Sequence, residues 1–165
     1  MKKIYLIRHA KSSWKNANIS DFDRPLNKRG KEDIKFMSKR LKFFRIMPDI
    51  IISSPAKRAK KTTEGIASII GYDESKIVYQ PALYESSFET YMDLITNIDD
   101  SYNSVFLVAH NPTLTEAGEM LSGAILTNIP TCSIVCIEFD INSFEDIKEG
   151  SGKILFFDYP KKHRK

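Results

Sequence analysis

Cysteine is scarce. Only Cys132 and Cys136 occur in the 165 residues, within the run Thr-Cys-Ser-Ile-Val-Cys-Ile. An extended segment would hold their Cα atoms about 13 Å apart at roughly 3.3 Å per residue, beyond the reach of a disulfide. Their spacing fails the usual zinc and thioredoxin patterns, so both are read as buried free thiols. Glycine and proline number only seven each, and hydrophobic residues make up 42% of the chain. Collagenous, disordered and disulfide-scaffold classes are thereby excluded. Long apolar runs are lacking too. Ile4 to Ile7 and Ile50 to Ile52 are a few residues each, against the about 20 needed to span a bilayer. Lys2 and Lys3 precede only four apolar residues before Arg8 and His9, too few for a secretory core, so a cytoplasmic location with no membrane partner is expected.

An excess of either charge is also missing from most of the chain. The formal net charge is +4, and Lys161, Lys162, Arg164 and Lys165 account for all of it. Residues 1–160 are therefore neutral. The sequence pI near 9.0 reflects a short basic tail, read as a solvated end, and no nucleic-acid partner is expected. Folding a chain of this length buries roughly 70% of its unfolded surface, enough for a core without disulfides or structural metal. One domain over residues 1–160 with a tail over 161–165 is the expected organisation.

Apolar runs ending in polar residues mark the strands. Lys3 to Ile7 precedes Arg8-His9, Asp49 to Ile52 precedes Ser53-Ser54-Pro55, and Ser104 to Ala109 precedes His110. Ile77 to Tyr79, Ser133 to Phe139 and Lys153 to Asp158 complete the set, the last two joined by an acidic stretch over 142–152 that suits a hairpin or an exposed connection. Helical patterns lie between them. Asn27 can cap a helix to about Phe44, with Ile34, Met37, Leu41 and Phe44 on one stripe and Gly30 tolerated in the first turn. Ser54 and Pro55 read as cap and first residue of a second helix that Gly71 ends. Further helices are predicted over about 89–98 and 113–121. The alternation predicts a three-layer α/β/α sandwich around a mainly parallel sheet.

Ligands of such sheets bind beyond the carboxyl ends of the strands. That rule gathers Arg8, His9, Ser53, Ser54, Arg58 and His110. Two of only three histidines follow strands ending on the same edge, and His163 falls in the tail. Two guanidiniums, a histidine pair and helix N–H groups suit a phosphoryl dianion. A neutral imidazole can take up the phosphoryl group covalently, with the arginines stabilising the equatorial oxygens, and no metal or other cofactor is called for.

Leu6-Ile7-Arg8-His9-Ala10, Ser53-Ser54-Pro55 with Arg58-Ala59 and Thr62, and Val108-Ala109-His110-Asn111-Pro112 together resemble the histidine phosphatase, or phosphoglycerate-mutase-like, superfamily. Residues 8–14 and 21–27 and the compact length are similar to its SixA-type phosphohistidine phosphatases. The resemblance implies that His9 is the phosphorylated nucleophile and that Arg8, Arg58 and His110 bind the phosphoryl group. Ala10 stands where the superfamily usually has glycine. Glu85 occupies the region where many members carry a general acid, an assignment left open here because a phosphohistidine leaving group can depart as an already protonated imidazole.

Other residues have plainer readings. Asp21, Asp23 and Arg24 read as a surface ion pair in preference to a pocket mouth, and Trp14 as an anchor for its own loop. Lys11, Ser12 and Ser13 are equally suited to phosphate and to solvent. Phe36, Phe43 and Phe44 divide between core and surface. The expected substrate is a phosphorylated protein, with a small phosphomonoester as the alternative and a phosphoprotein-binding module without turnover as the third reading.

Overall fold

Alternate residues of β1 (Lys2–Arg8) face opposite sides of a six-stranded sheet, and each set is buried by a different helix pair. In the computed structural model, which describes residues 1–164, Ile4 and Leu6 pack with Phe88, Tyr91, Leu114 and Leu121. Tyr5 and Ile7 pack on the other side with Ile34, Met37, Leu41 and Ile66. Helices α1 (Lys28–Phe43) and α2 (Lys57–Ile70) thus cover one face, and α3 (Phe88–Thr96) and α4 (Thr113–Ser122) the other. This is the three-layer α/β architecture that the alternation predicts. No helix among the described residues is long and apolar enough to cross a membrane.

The remaining strands are β2 (Ile50–Ser53), β3 (Val78–Tyr79), β4 (Ser104–Ala109), β5 (Ile134–Phe139) and β6 (Lys153–Asp158), in the spatial order β3-β2-β4-β1-β5-β6. β3, β2, β4 and β1 pair in parallel, whereas β5 runs antiparallel to both β1 and β6. The sheet is therefore mixed, its parallel half carrying the predicted site edge. The 142–152 connection is a hairpin excursion that buries Phe144 and Ile147 and is not merely exposed.

Several local expectations change. α2 begins at Lys57, because Ala56 is extended at φ −57° and ψ 141°. Ser54 is therefore not its cap, and Arg58 stands in the first turn. Gly71 ends α2 in the left-handed region at φ 86°, as read. Gly30 is required in place of merely tolerated, since a Cβ there would overlap the Lys11 carbonyl oxygen. Cys132 and Cys136 are free and buried, but Cys132 lies in a turn before β5 at φ 60° and not in a strand. Phe43 and Phe44 are exposed, and Phe36 is largely so.

Tail residues 161–164 are exposed, as read for a solvated end, but they are also tied to the domain by side-chain contacts. Residues Pro160–His163 form a 3-10 turn with Pro160 buried. His163 Nε2 lies 2.6 Å from Asp158 Oδ1, and Arg164 donates to the buried Asp33 carboxylate. Lys165 of the expected 161–165 tail lies outside the described residues.

Candidate active site

Strand register creates the site. Arg8 pairs with Ala109 and Ser53 with Val108, so His9, His110 and Ser54 emerge together just past the ends of three neighbouring parallel strands. Backbone bonds continue the ladder one step beyond, from His9 N–H to the Ala109 carbonyl at 3.2 Å and from Ser54 N–H to the Val108 carbonyl at 2.9 Å. The two imidazoles stand with centroids 5.1 Å apart.

His9 Nδ1 lies 2.8 Å from the Ala10 carbonyl, which only accepts, so the ring carries its proton there and keeps a lone pair on Nε2. The turn is fixed from behind. Thr62 Oγ1 accepts from Ala10 N–H at 2.9 Å and donates to the Arg58 carbonyl at 2.7 Å, which explains the threonine one turn after the arginine. Burial, aided by His110 and the arginines and only partly offset by the Ala10 carbonyl, brings the His9 pKa down to about 3. Burial and then Arg58 bring that of His110 down to about 4. Both rings are neutral at neutral pH. Ser54 Oγ accepts from Ala56 N–H at 3.2 Å and lies 2.7 Å from His110 Nε2, so its own proton is free to point at that nitrogen. On this pattern His110 carries its proton on Nδ1.

The two arginines are held differently. Arg8 Nη1 donates to the Ile129 carbonyl at 2.9 Å. Arg58 donates twice to Asp21, through Nη1 to its carbonyl at 2.7 Å and through Nη2 to its carboxylate at 3.1 Å. Tyr84 Oη also donates to that carboxylate at 2.7 Å, and Arg24 at 3.2 Å. Burial acts to raise the Asp21 pKa, but the Tyr84 hydrogen bond and the Arg58 charge outweigh it and hold it at about 2. Arg8 Nε, Arg58 Nε and His110 Nδ1 are buried without a hydrogen-bond partner among the described residues.

These groups open into a cavity of about 690 Å³. All five predicted site residues, Arg8, His9, Arg58, Glu85 and His110, line it. Glu85 is exposed and sits at φ 50°, a left-handed conformation uncommon outside glycine, on the connection leading into α3. Lys11 and Ser12 also line the wall, whereas Ser13 is not among the lining residues. Trp14 does not anchor its loop by burial: it is 77% exposed at the rim, with the Arg24 guanidinium 3.7 Å from its ring centroid. Asp21, read from sequence as a surface ion pair, is a pocket-mouth residue that braces Arg58. Tyr84 was not singled out, and its partner lies 63 residues away, a contact that local pattern does not reveal. Among the described residues, no group of three or more His, Cys, Asp or Glu side chains is placed to hold a metal ion.

A neutral histidine pair between the buried Arg58 and the half-buried Arg8 at the carboxyl edge of an α/β sheet suits an anion of the phosphoryl kind. Residues 4–124 match the model of the histidine phosphatase superfamily (branch 1), and the chain belongs to that family. The SixA protein of Agrobacterium tumefaciens, a candidate phosphohistidine phosphatase, is 29% identical and superposes with a TM-score of 0.83 over 96% of this chain and 98% of its own. A SixA protein histidine phosphatase complexed with tungstate shares the fold at 22% identity, with a TM-score of 0.81 over 98% and 99% of the two chains. An uncharacterized chloroplastic protein of Arabidopsis thaliana is 29% identical over 159 residues, covering 92% of this chain and 72% of that protein.

Proposed function

We propose that the chain is a phosphatase that acts through a covalent phosphohistidine on His9 and that its substrate is phosphohistidine in a protein. The state of His9 carries the reading: its Nδ1 is committed to the Ala10 carbonyl and burial keeps it uncharged, so Nε2 presents a nucleophilic lone pair beside two arginines. Nε2 attacks phosphorus as the bond from phosphorus to the substrate nitrogen breaks, and the bond pair leaves on that nitrogen. A substrate imidazole protonated on its other nitrogen departs neutral. Water then attacks phosphorus, the bond to Nε2 breaks and returns its pair to His9, and dihydrogen phosphate leaves. Arg8, Arg58 and His110 stabilise charge on the equatorial oxygens in both displacements.

The likeness to the Agrobacterium protein supports the phosphohistidine substrate, as does a rim carrying an exposed tryptophan. A small phosphomonoester is the second reading, favoured by Glu85 in the wall, where a carboxylic acid can protonate an alkoxide. Rapid quench with phosphoryl-labelled substrate followed by peptide mapping tests the proposal. Label on His9 is expected. Label elsewhere, or full turnover by His9→Ala, overturns it, and a wild-type preference for alkyl or aryl phosphates over a phosphohistidine protein selects the second reading.

A further inference from the structure

The docked tail builds a second cavity. About 610 Å³ in volume, it adjoins the first and shares Arg8, Lys11 and Thr131 with it. Arg29, Lys161 and Arg164 supply the rest of the positive charge among the described residues, whose one carboxylate here, Asp33, is already paired with Arg164. Among the described residues five cations thus line a space with one committed anion, although residues 1–160 are neutral as a whole.

The fold assembles this charge against its own electrostatics. The first turn of α1 carries Lys28, Arg29 and Lys31 and no acidic residue, so cations stand at the positive end of a 16-residue helix. Gly30 lets the Lys11 backbone lie directly on that turn, which brings Lys11 and Arg29 to one wall. From the other side, Lys161 is held between buried Pro160 and the Arg164 contact with Asp33. Arg29, Lys161 and Lys11 are exposed, and among the described residues none of the three makes a salt bridge, although Asp33 acts on Arg29 through its charge.

We propose that this cavity is an anion subsite that takes acidic side chains flanking the phosphohistidine of the protein substrate; the proposal rests on the reading of the first cavity as the phosphatase site. Size favours a polypeptide. Each cavity already falls in the range of roughly 300–1,000 Å³ that holds a whole small ligand, so an occupant of both is larger than a small phosphorylated metabolite. A chain segment spans both, with its phosphoryl group at His9 and its carboxylates against Arg29 and Lys161. The attraction is exposed and therefore salt-sensitive.

The double variant R29E/K161E tests it. Both side chains are exposed and neither lines the first cavity, and an acidic residue in the first turn suits α1. The substrates are a phosphohistidine peptide flanked by aspartates, the same peptide with asparagines, and para-nitrophenyl phosphate. Roughly a tenfold rise in KM is expected for the aspartate peptide alone, vanishing at 0.5 M salt, with the other two substrates within about twofold of wild type. Equal effects on both peptides overturn the subsite. So does an equal loss on 1,3-propanediol bisphosphate, which would assign the cavity to a small bis-anion. Binding of the unphosphorylated aspartate peptide, followed by fluorescence anisotropy at low salt, separates the two proposals. Weakening of about tenfold by R29E/K161E sustains the subsite even if no phosphohistidine is turned over, and unchanged binding overturns it even in an active phosphatase.

Discussion

His9 and His110 stand one residue past the ends of strands joined by one hydrogen-bond ladder, whereas Trp14, Asp21 and Glu85 stand on connections that reach the same cavity through side chains. The floor is buried and fixed by register, so its groups move only if the sheet moves. The rim is largely exposed and held by side-chain contacts within and between its connections, such as Trp14 on Arg24 and Tyr84 on Asp21. Chemistry that needs a neutral nucleophile at a constant distance from two arginines belongs on the floor. Adaptation to different leaving groups belongs on the rim, where a substitution perturbs little else.

If that division is right, His9→Ala abolishes turnover, with a loss of about 10⁴-fold or more, because nothing on the rim replaces the nucleophile. Inorganic phosphate binding should survive through Arg8 and Arg58. The assay is steady-state kinetics together with phosphate affinity by calorimetry.

Acid should strike the floor next. The His9 and His110 pKa values are brought down to about 3 and about 4 from an ordinary value near 6.5. Between about pH 6.5 and 4 the unfolded chain therefore binds protons that the folded chain refuses, and stability falls as pH falls. Each buried ring contributes a slope approaching about 1.4 kcal/mol per pH unit in that window. Urea midpoints measured from pH 7 to pH 4 should show this loss, and His110→Gln should flatten it.

Glu85→Gln probes the rim at the point where it meets the chemistry. Removing a general acid is worth about 100-fold or more on an aryl or alkyl phosphate, and the effect on phosphohistidine should be much smaller because imidazole leaves already protonated. Comparing kcat/KM on the two substrates decides. An equal, small loss on both would make Glu85 a structural rim residue.

Asp21 belongs to both regions, being exposed itself yet bonded twice to a buried arginine. Asp21→Asn keeps the backbone bond and loses the charge, so KM should rise about tenfold with a smaller change in kcat, and Asp21→Glu should restore part of it. With its pKa at about 2, the carboxylate stays ionised above pH 4. The Asn variant should accordingly lower activity by the same factor from pH 5 to pH 8.

The same division governed what could be read from sequence. Strands β1, β2 and β4 are apolar runs followed by Arg8-His9, Ser53-Ser54 and His110, and parallel pairing makes those ends coincide, so the floor was legible from local pattern and one topological rule. The bracing of Arg58 was not, because Asp21 lies 37 residues before it and looks like any surface aspartate beside an arginine. Docking of the tail depends on Arg164 meeting Asp33 across 131 residues, and no periodicity encodes that. The start of α2 was misplaced because Ser54 and Pro55 imitate a cap, while the serine hydroxyl is engaged by His110 and Ala56 N–H. Gly30 was underrated because its constraint is the backbone of a different loop.

Trp14 gives the smallest effect and the most direct view of the rim. Its ring stacks on Arg24, which also bonds Asp21, so the tryptophan touches the floor only through two intermediates. An exposed cation–π contact is worth about 0.5–1 kcal/mol, and only part of that can reach Arg58 through a chain of surface contacts. Trp14→Ala should therefore change kcat/KM for para-nitrophenyl phosphate by no more than about twofold. A phosphohistidine protein that covers the rim would lose the ring's contact area as well, and its KM should rise by roughly three- to tenfold. Quenching of the fluorescence of this single tryptophan on titration with the substrate protein gives an independent reading, since para-nitrophenyl phosphate is too small to enclose the ring. Equal losses on both substrates would mean that Trp14 acts on the floor through Arg24 and Asp21, and the division between floor and rim would then fail at its outermost residue.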